Sequence, residues 1–191
     1  FFVFSNIYVA VPVVCLALQT TLQFELEIEP LFFTFIYSAT LFSYSFHRIF
    51  PFNKKEISSL SERHIWIADN KSSFTLVVVF SIVVCVASFT FLKEGVFYLL
   101  MPAGFLTLFY TVPFLKFGGR WIRLRNLPFL KLFLVSFTVS YVSVVLPYLY
   151  NNPERNLLTL EVLLVSVERF FFLLAITIPF DIRDINYDQK T

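Results

Sequence analysis

Histidine, cysteine and charged residues are all scarce in this sequence, and each scarcity excludes a class of protein. The two histidines and the two cysteines are too few and too far apart for a metal site or a disulfide framework. Charged residues make up 15% of the chain, well below the share that a soluble domain carries. The sequence also begins without methionine or a signal-peptide pattern, so we expect it to be cut from a longer chain at both ends.

Apolar residues, in contrast, are abundant. Hydrophobic residues make up 58% of the chain and aromatic residues 20%. A helix needs about 20 apolar residues to cross a bilayer, and backbone groups in lipid must be bonded within the segment. Six runs meet this requirement, at residues 2–22, 31–50, 74–92, 96–115, 127–150 and 157–180. We therefore predict an all-α polytopic bundle of transmembrane helices, with residues 1–191 forming a single membrane-embedded domain.

The connections between these runs alternate in charge. The first connection contains three glutamates and no lysine or arginine. The second and fourth are basic, with Arg48, Lys54, Lys55, Arg63 and Lys71 in the former and Lys116, Arg120, Arg123, Arg125 and Lys131 in the latter. Basic connections stay in the cytoplasm and also contact anionic lipid headgroups. We therefore predict that the second, fourth and sixth connections face the cytoplasm, in a bacterial inner membrane.

Three aspartates follow the sixth apolar run, at Asp181, Asp184 and Asp188. On a helix these positions are i, i+3 and i+7, so they fall within roughly 60° of one another. Carboxylates that share a face repel one another unless a cation lies between them, and Mg²⁺ prefers oxygen ligands and often carries a phosphate. The spacing fits a metal–phosphate site at the membrane edge, and it equally fits a solvated, charged helix end.

Two ionisable residues, Glu168 and Arg169, lie midway along the sixth run. Charged groups inside a membrane are costly, and they usually face a cavity or pair with an opposite charge. We predict a structural ion pair with a neighbouring helix, and contact with a substrate is the alternative. Asn6, in the first run, is predicted to face the interior of the bundle.

The run FDIRDINYD, which contains the three aspartates, resembles the second aspartate-rich motif of the UbiA superfamily of intramembrane prenyltransferases. The segment YTVPFLK, at residues 110–116, resembles the tyrosine and lysine segment that helps this family to hold a diphosphate at the end of the fourth span. Members of the family have about nine spans, so the resemblance implies that six of them are present here.

The resemblance implies a magnesium-dependent enzyme that transfers an isoprenyl group from a prenyl diphosphate to a lipophilic, often aromatic acceptor. It implies no nucleic-acid partner. Carried over position by position, it assigns Mg²⁺ to Asp181, Asp184 and Asp188, and contacts with the diphosphate to Tyr110 and Lys116. We further expect the cations Arg183 and Arg48 to neutralise oxygens of the diphosphate.

The first aspartate-rich motif of the family is absent from this sequence. That motif, at the end of the second span, is an asparagine followed by aspartates four and eight residues later. The stretch SYSFHRIFPFNKKE has His47, Pro51 and Lys55 at these positions. Since proline and lysine cannot bind Mg²⁺ as carboxylates do, Arg48, Lys54 and Lys55 would contact the diphosphate directly instead.

Two other classes of function remain open. The missing first motif favours a homologue that binds an isoprenoid lipid without turnover. The charges of Glu168 and Arg169 inside a span also suit an unrelated transporter or channel, in which these two residues would line the pathway.

Overall fold

The computed structural model describes residues 6–49, 70–111, 115–117, 120–122, 130–152 and 159–188. Within these ranges the chain forms helices and one short ribbon of two strands. The elements are α1 (Ile7–Gln23), α2 (Pro30–Ile49), α3 (Lys71–Phe89), α4 (Val96–Thr111), β1 (Leu115–Phe117), β2 (Arg120–Ile122), α5 (Leu130–Ser140), a π-helical turn (Tyr141–Val145), α6 (Leu146–Asn151) and α7 (Leu160–Asp188). The prediction of a helical protein is confirmed, with the ribbon as the exception.

Three helical stretches of the described ranges are long and apolar enough to cross a membrane. They are Lys71–Phe89, the continuous stretch Leu130–Asn151, and Leu160–Pro179 of α7. Two further helices, Ile7–Gln23 and Val96–Tyr110, are apolar but shorter. By length and composition the chain is therefore a membrane protein with three candidate spans, and the fuller bundle of six spans out of nine stays a prediction.

Helix α4 is described as far as Thr111, and Leu115, the last residue of its apolar run, belongs to strand β1 instead. The sequence favours an end of the helix before Pro113, because proline disfavours helical geometry in the residue before it and lacks the N–H that a helix needs. Strands β1 and β2 then pair antiparallel, with Leu115 opposite Ile122 and Phe117 opposite Arg120. Two glycines separate the strands in the sequence, a composition that favours a tight two-residue hairpin.

The chain divides into two compact units, and the first comprises Phe1–Cys15, Glu29–Leu92 and Ile182–Thr191. Its core joins α2 to α3, where Phe74 and Val78 are buried against Phe42. The buried amide of Asn6 donates through Nδ2 to Ser45 Oγ over 3.3 Å, which confirms that this residue faces the interior.

The second unit comprises Leu16–Ile28 and Lys93–Asp181. Tyr148, Leu149 and Val162 form its core, and Phe24 meets the Tyr148 ring edge-on at 5.3 Å between centroids. A π-helical turn, Tyr141–Val145, precedes Pro147. The sequence predicts a local kink at this proline, and a π-helical turn is a recognised way for a helix to accommodate a bend.

The hydroxyl of Tyr141 ties this π-helical turn to α4, because it donates to the Leu99 carbonyl oxygen over 2.7 Å. Replacing Tyr141 by phenylalanine leaves that carbonyl without this donor, and we expect a loss of about 1 kcal/mol in the free energy of unfolding. Unfolding in mixed micelles with increasing SDS measures the loss. Tyr98→Phe is the matched control, because Tyr98 is 76% exposed, and an equal loss in the two variants would contradict the assigned role.

Candidate functional site

Helix α7 carries all three aspartates of the FDIRDINYD segment. Its helical backbone runs without a break from Leu160 to Asp188. Asp181, Asp184 and Asp188 therefore do have the predicted helical spacing, within a sector of about 60° and over about 10 Å of helical rise. Their side chains lie outside the described residues, so the metal site itself stays a prediction.

Pro179 lies inside α7 and does not end it, although the apolar run of the sequence stops there. Proline removes one backbone hydrogen bond from a helix, and in membrane helices serine or threonine side chains help to satisfy the backbone nearby. The carbonyl oxygen that loses its donor to Pro179 is that of Ala175, four positions earlier. The hydroxyl of Thr177 donates instead to the carbonyl oxygens of Leu173 and Leu174, over 2.8 and 3.0 Å. The helix thus passes from an apolar span directly into the acidic segment.

The residues predicted to bind the diphosphate lie at or near the ends of several elements. Arg48 is in the last turn of α2, Tyr110 is in the last turn of α4, and Lys116 is in β1 opposite Trp121. Lys116 follows the fourth apolar run, in the connection to which the sequence assigns it, and there it belongs to a strand. Arg183 lies on α7 between Asp181 and Asp184, and the side chains of Arg48, Lys116 and Arg183 lie outside the described residues.

These positions belong to both compact units. Arg48, Arg183, Asp184 and Asp188 are in the first unit, and Tyr110, Lys116 and Asp181 are in the second. Their meeting at one site is a prediction from the sequence. Of the first aspartate-rich motif, His47 lies in the last turn of α2, whereas Pro51 and Lys55 lie outside the described residues.

The donor chemistry of the aspartate segment fits Mg²⁺, since a hard divalent cation takes carboxylate oxygens and keeps several waters. Neighbouring members of the trio are separated by three and four positions on a helical backbone, a spacing that allows two carboxylates to share one ion. Among the side chains that the structure describes, no three histidines, cysteines, aspartates or glutamates lie close enough together to hold a metal ion. The aspartate segment therefore remains the candidate metal site.

The predicted ion pair of the sixth run is not seen among the described residues. Arg169 is 3% exposed, and its Nη1 donates to the backbone carbonyl oxygen of Leu16 in α1 over 3.2 Å. Glu168 is exposed instead. Consecutive residues of a helix are about 100° apart around the axis, so the two side chains point in different directions. The contact with a neighbouring helix is present, but the acceptor is a neutral carbonyl.

A set of buried hydroxyl groups on α5 and the π-helical turn is absent from the sequence prediction. Ser136, Ser140 and Ser143 are buried, and Ser140 Oγ donates to the Ser166 carbonyl oxygen over 2.8 Å. Ser136 Oγ is buried without a hydrogen-bond partner among the described residues. The signal for this face is the spacing of the three serines, at i, i+4 and i+7 within an otherwise apolar run.

Comparison with known proteins adds no family assignment. No protein-family model matches this chain, and neither a curated protein nor a solved structure does. The likeness to the UbiA superfamily therefore depends on the FDIRDINYD and YTVPFLK segments. The function is accordingly proposed from these residues and from the helix that carries the aspartates.

Proposed function

We propose that this chain belongs to a membrane-embedded prenyltransferase that moves an isoprenyl group from a prenyl diphosphate to a lipophilic, often aromatic acceptor. The observation that carries the proposal is the course of α7, which continues from an apolar span to Asp188 and places three carboxylate residues on one helical face. A prenyl diphosphate has the same two parts: an apolar tail that suits the membrane, and an anionic head that suits a metal site at the membrane edge.

Each proposed residue has a role in the departure of diphosphate. Asp181, Asp184 and Asp188 would hold Mg²⁺, which supplies positive charge next to the diphosphate oxygens. Lys116, Arg183 and Arg48 would neutralise the remaining oxygens, and Tyr110 would donate a hydrogen bond to one of them. The C–O bond of the allylic diphosphate breaks with both electrons on oxygen, the acceptor attacks the allylic cation, and a proton leaves the acceptor.

The proposed enzyme acts at the cytoplasmic face of a bacterial inner membrane. The basic connections after the second and fourth apolar runs support this orientation, because basic connections stay in the cytoplasm. Both connections also contain residues assigned to the diphosphate, Arg48 in the second and Lys116 in the fourth. In this arrangement the present residues provide six of nine spans, and the further spans would complete the apolar cavity for the prenyl chain.

A second candidate is a homologue that binds the prenyl diphosphate and does not turn it over. The observation that favours it is the substitution of the first aspartate-rich motif by His47, Pro51 and Lys55, which removes half of the carboxylate ligands that the family uses. Fixed lysine and arginine charges can hold a diphosphate, but they do not reproduce the coordination of a second metal ion.

Purified protein in lipid nanodiscs separates the two candidates. We expect radiolabelled farnesyl or geranylgeranyl diphosphate to bind only when Mg²⁺ is present, and diphosphate to be released when an aromatic acceptor such as 4-hydroxybenzoate is added. Binding that depends on Mg²⁺ without release in a panel of acceptors would establish the non-catalytic homologue. Absence of binding to either diphosphate would contradict both candidates and would favour the transporter class.

A further inference from the structure

Arg169 is a cation at mid-depth of a candidate membrane span, and the proposed prenyl transfer does not use it. It lies near the centre of Leu160–Pro179, and 3% of its surface is exposed. A charged side chain in this environment costs several kcal/mol unless it is paired, so such residues are rare in membrane spans and usually functional.

The described hydrogen-bond acceptor of Arg169 is neutral, and the opposite charge described near it, on Glu168, acts through space without a described hydrogen bond. Its one described hydrogen bond goes from Nη1 to the Leu16 carbonyl oxygen, which also accepts a hydrogen bond from Thr20 Oγ1 over 3.2 Å. A guanidinium group has five N–H donors, and a shared neutral carbonyl satisfies only one of them. The adjacent carboxylate, on Glu168, belongs to the exposed side of α7.

A second buried donor, the hydroxyl of Ser136 in α5, lies at the same level along α7 as Arg169. Helices α5 and α7 run antiparallel, because the rings of Phe133 and Phe170 lie 6.0 Å apart between centroids while Ser140 Oγ donates to the carbonyl oxygen of Ser166. Ser136 falls between these two contacts on α5, so it lies opposite the stretch of α7 that contains Arg169. Its hydroxyl group is fully buried and has no hydrogen-bond partner within the ranges that the structure describes, which is costly for a polar group in a protein interior.

From this juxtaposition we infer that Arg169 and Ser136 form a site inside the second unit for a singly charged anion, either a halide or the carboxylate of a lipophilic acid. One guanidinium neutralises one negative charge, and a second charge would remain uncompensated in the span. The site is separate from the proposed diphosphate site, since Asp181 lies about 18 Å farther along α7.

Thermal unfolding in lipid nanodiscs tests the inference. Sodium gluconate is exchanged for sodium bromide at constant ionic strength, and in parallel dodecanoate is compared with uncharged dodecanol. We expect one of the two anions to raise Tm by about 2 to 4 °C at roughly five times its Kd. Bromide alone would identify a free halide as the ligand, and dodecanoate alone would identify a lipid-borne carboxylate.

Three variants make the result specific to this site. Arg169→Gln should abolish the shift, whereas Lys71→Gln should retain it, because Lys71 is an exposed cation at the start of α3. Since the first of these variants could unfold, Ser136→Ala provides a milder test. It removes a hydroxyl that has no partner in the described part of the chain, and it should weaken anion binding by about fivefold to tenfold.

Three outcomes would overturn the inference. The first is a wild-type Tm that responds to neither anion. The second is a shift that persists unchanged in Arg169→Gln and in Ser136→Ala, which would indicate a salt effect elsewhere on the protein. The third is an equal response to dodecanol and dodecanoate with no response to bromide, which would indicate binding of an apolar chain without recognition of charge.

Discussion

Simultaneous replacement of Asp181 and Asp184 by alanine is expected to lower the Mg²⁺-dependent affinity for prenyl diphosphate by at least about 100-fold. Each carboxylate contributes a charge-assisted contact of about 1.5 to 3 kcal/mol, and loss of two such contacts corresponds to roughly two to four orders of magnitude in Kd. Equilibrium binding of radiolabelled farnesyl diphosphate in nanodiscs measures the change, with and without Mg²⁺.

Glu161→Ala is the matched control for this variant. Glu161 is an exposed acid in the first turn of the same helix, at the opposite end from the aspartates. The Glu161→Ala variant should bind the diphosphate with the affinity of the wild type. If the double aspartate variant retained wild-type affinity in Mg²⁺, the assignment of the metal to α7 would be wrong.

The second large effect is expected for stability, at Phe74 of α3. This side chain is 2% exposed and packs with Val78 against Phe42 of α2. In a bilayer the lipid is as apolar as the protein interior, so burial adds little and close packing holds the helices together. Phe74→Ala leaves a cavity of roughly 100 Å³, which should reduce the free energy of unfolding by about 2 kcal/mol or more.

Phe80→Ala provides the comparison within the same helix, because Phe80 is 68% exposed. Its removal leaves no cavity, and we expect a change within about 0.5 kcal/mol. Unfolding of both variants in SDS mixed micelles gives the two values. Equal destabilisation by the two substitutions would contradict the packing of α2 against α3.

The candidate spans follow from the sequence because lipid permits few alternatives for a long apolar run. Lys71–Phe89, Leu130–Asn151 and Leu160–Pro179 lie close to the runs at residues 74–92, 127–150 and 157–180. Local rules also favour an end of α4 before Pro113. The hairpin of β1 and β2 was missed, although the two glycines between its strands are a recognisable signal.

The partners of buried polar residues could not be predicted, because they depend on which helices pack together. The sequence indicates that Glu168 and Arg169 are costly in a membrane, but their helical positions alone do not tell which one is buried. The structure shows Arg169 against the carbonyl of Leu16, from a helix far earlier in the chain. The burial of the Ser136 hydroxyl, which lacks a partner among the described residues, depends in the same way on how α5 packs.

The continuation of α7 through Pro179 could be predicted only in part from the sequence. The spacing of the aspartates predicts that they share a helical face, and the backbone confirms the helix as far as Asp188. Whether Arg48 and Lys116 meet them depends on tertiary structure that the spacing of residues does not encode. The coordination of the metal also depends on tertiary structure, although the donor types alone indicate Mg²⁺.

The account is tested most directly by locating the bound metal along α7 with Mn²⁺ in place of Mg²⁺. Nitroxide labels are attached to Ile182→Cys and, separately, to Leu160→Cys, after Cys15 and Cys85 have been replaced by alanine. Both labelled positions are exposed, at 60% and 72%, and they lie about 33 Å apart in helical rise. With Mn²⁺ and farnesyl diphosphate, we predict strong paramagnetic relaxation at position 182 and little at position 160. Equal relaxation at the two positions, or stronger relaxation at 160, would contradict a metal–diphosphate site at the aspartate end of the helix.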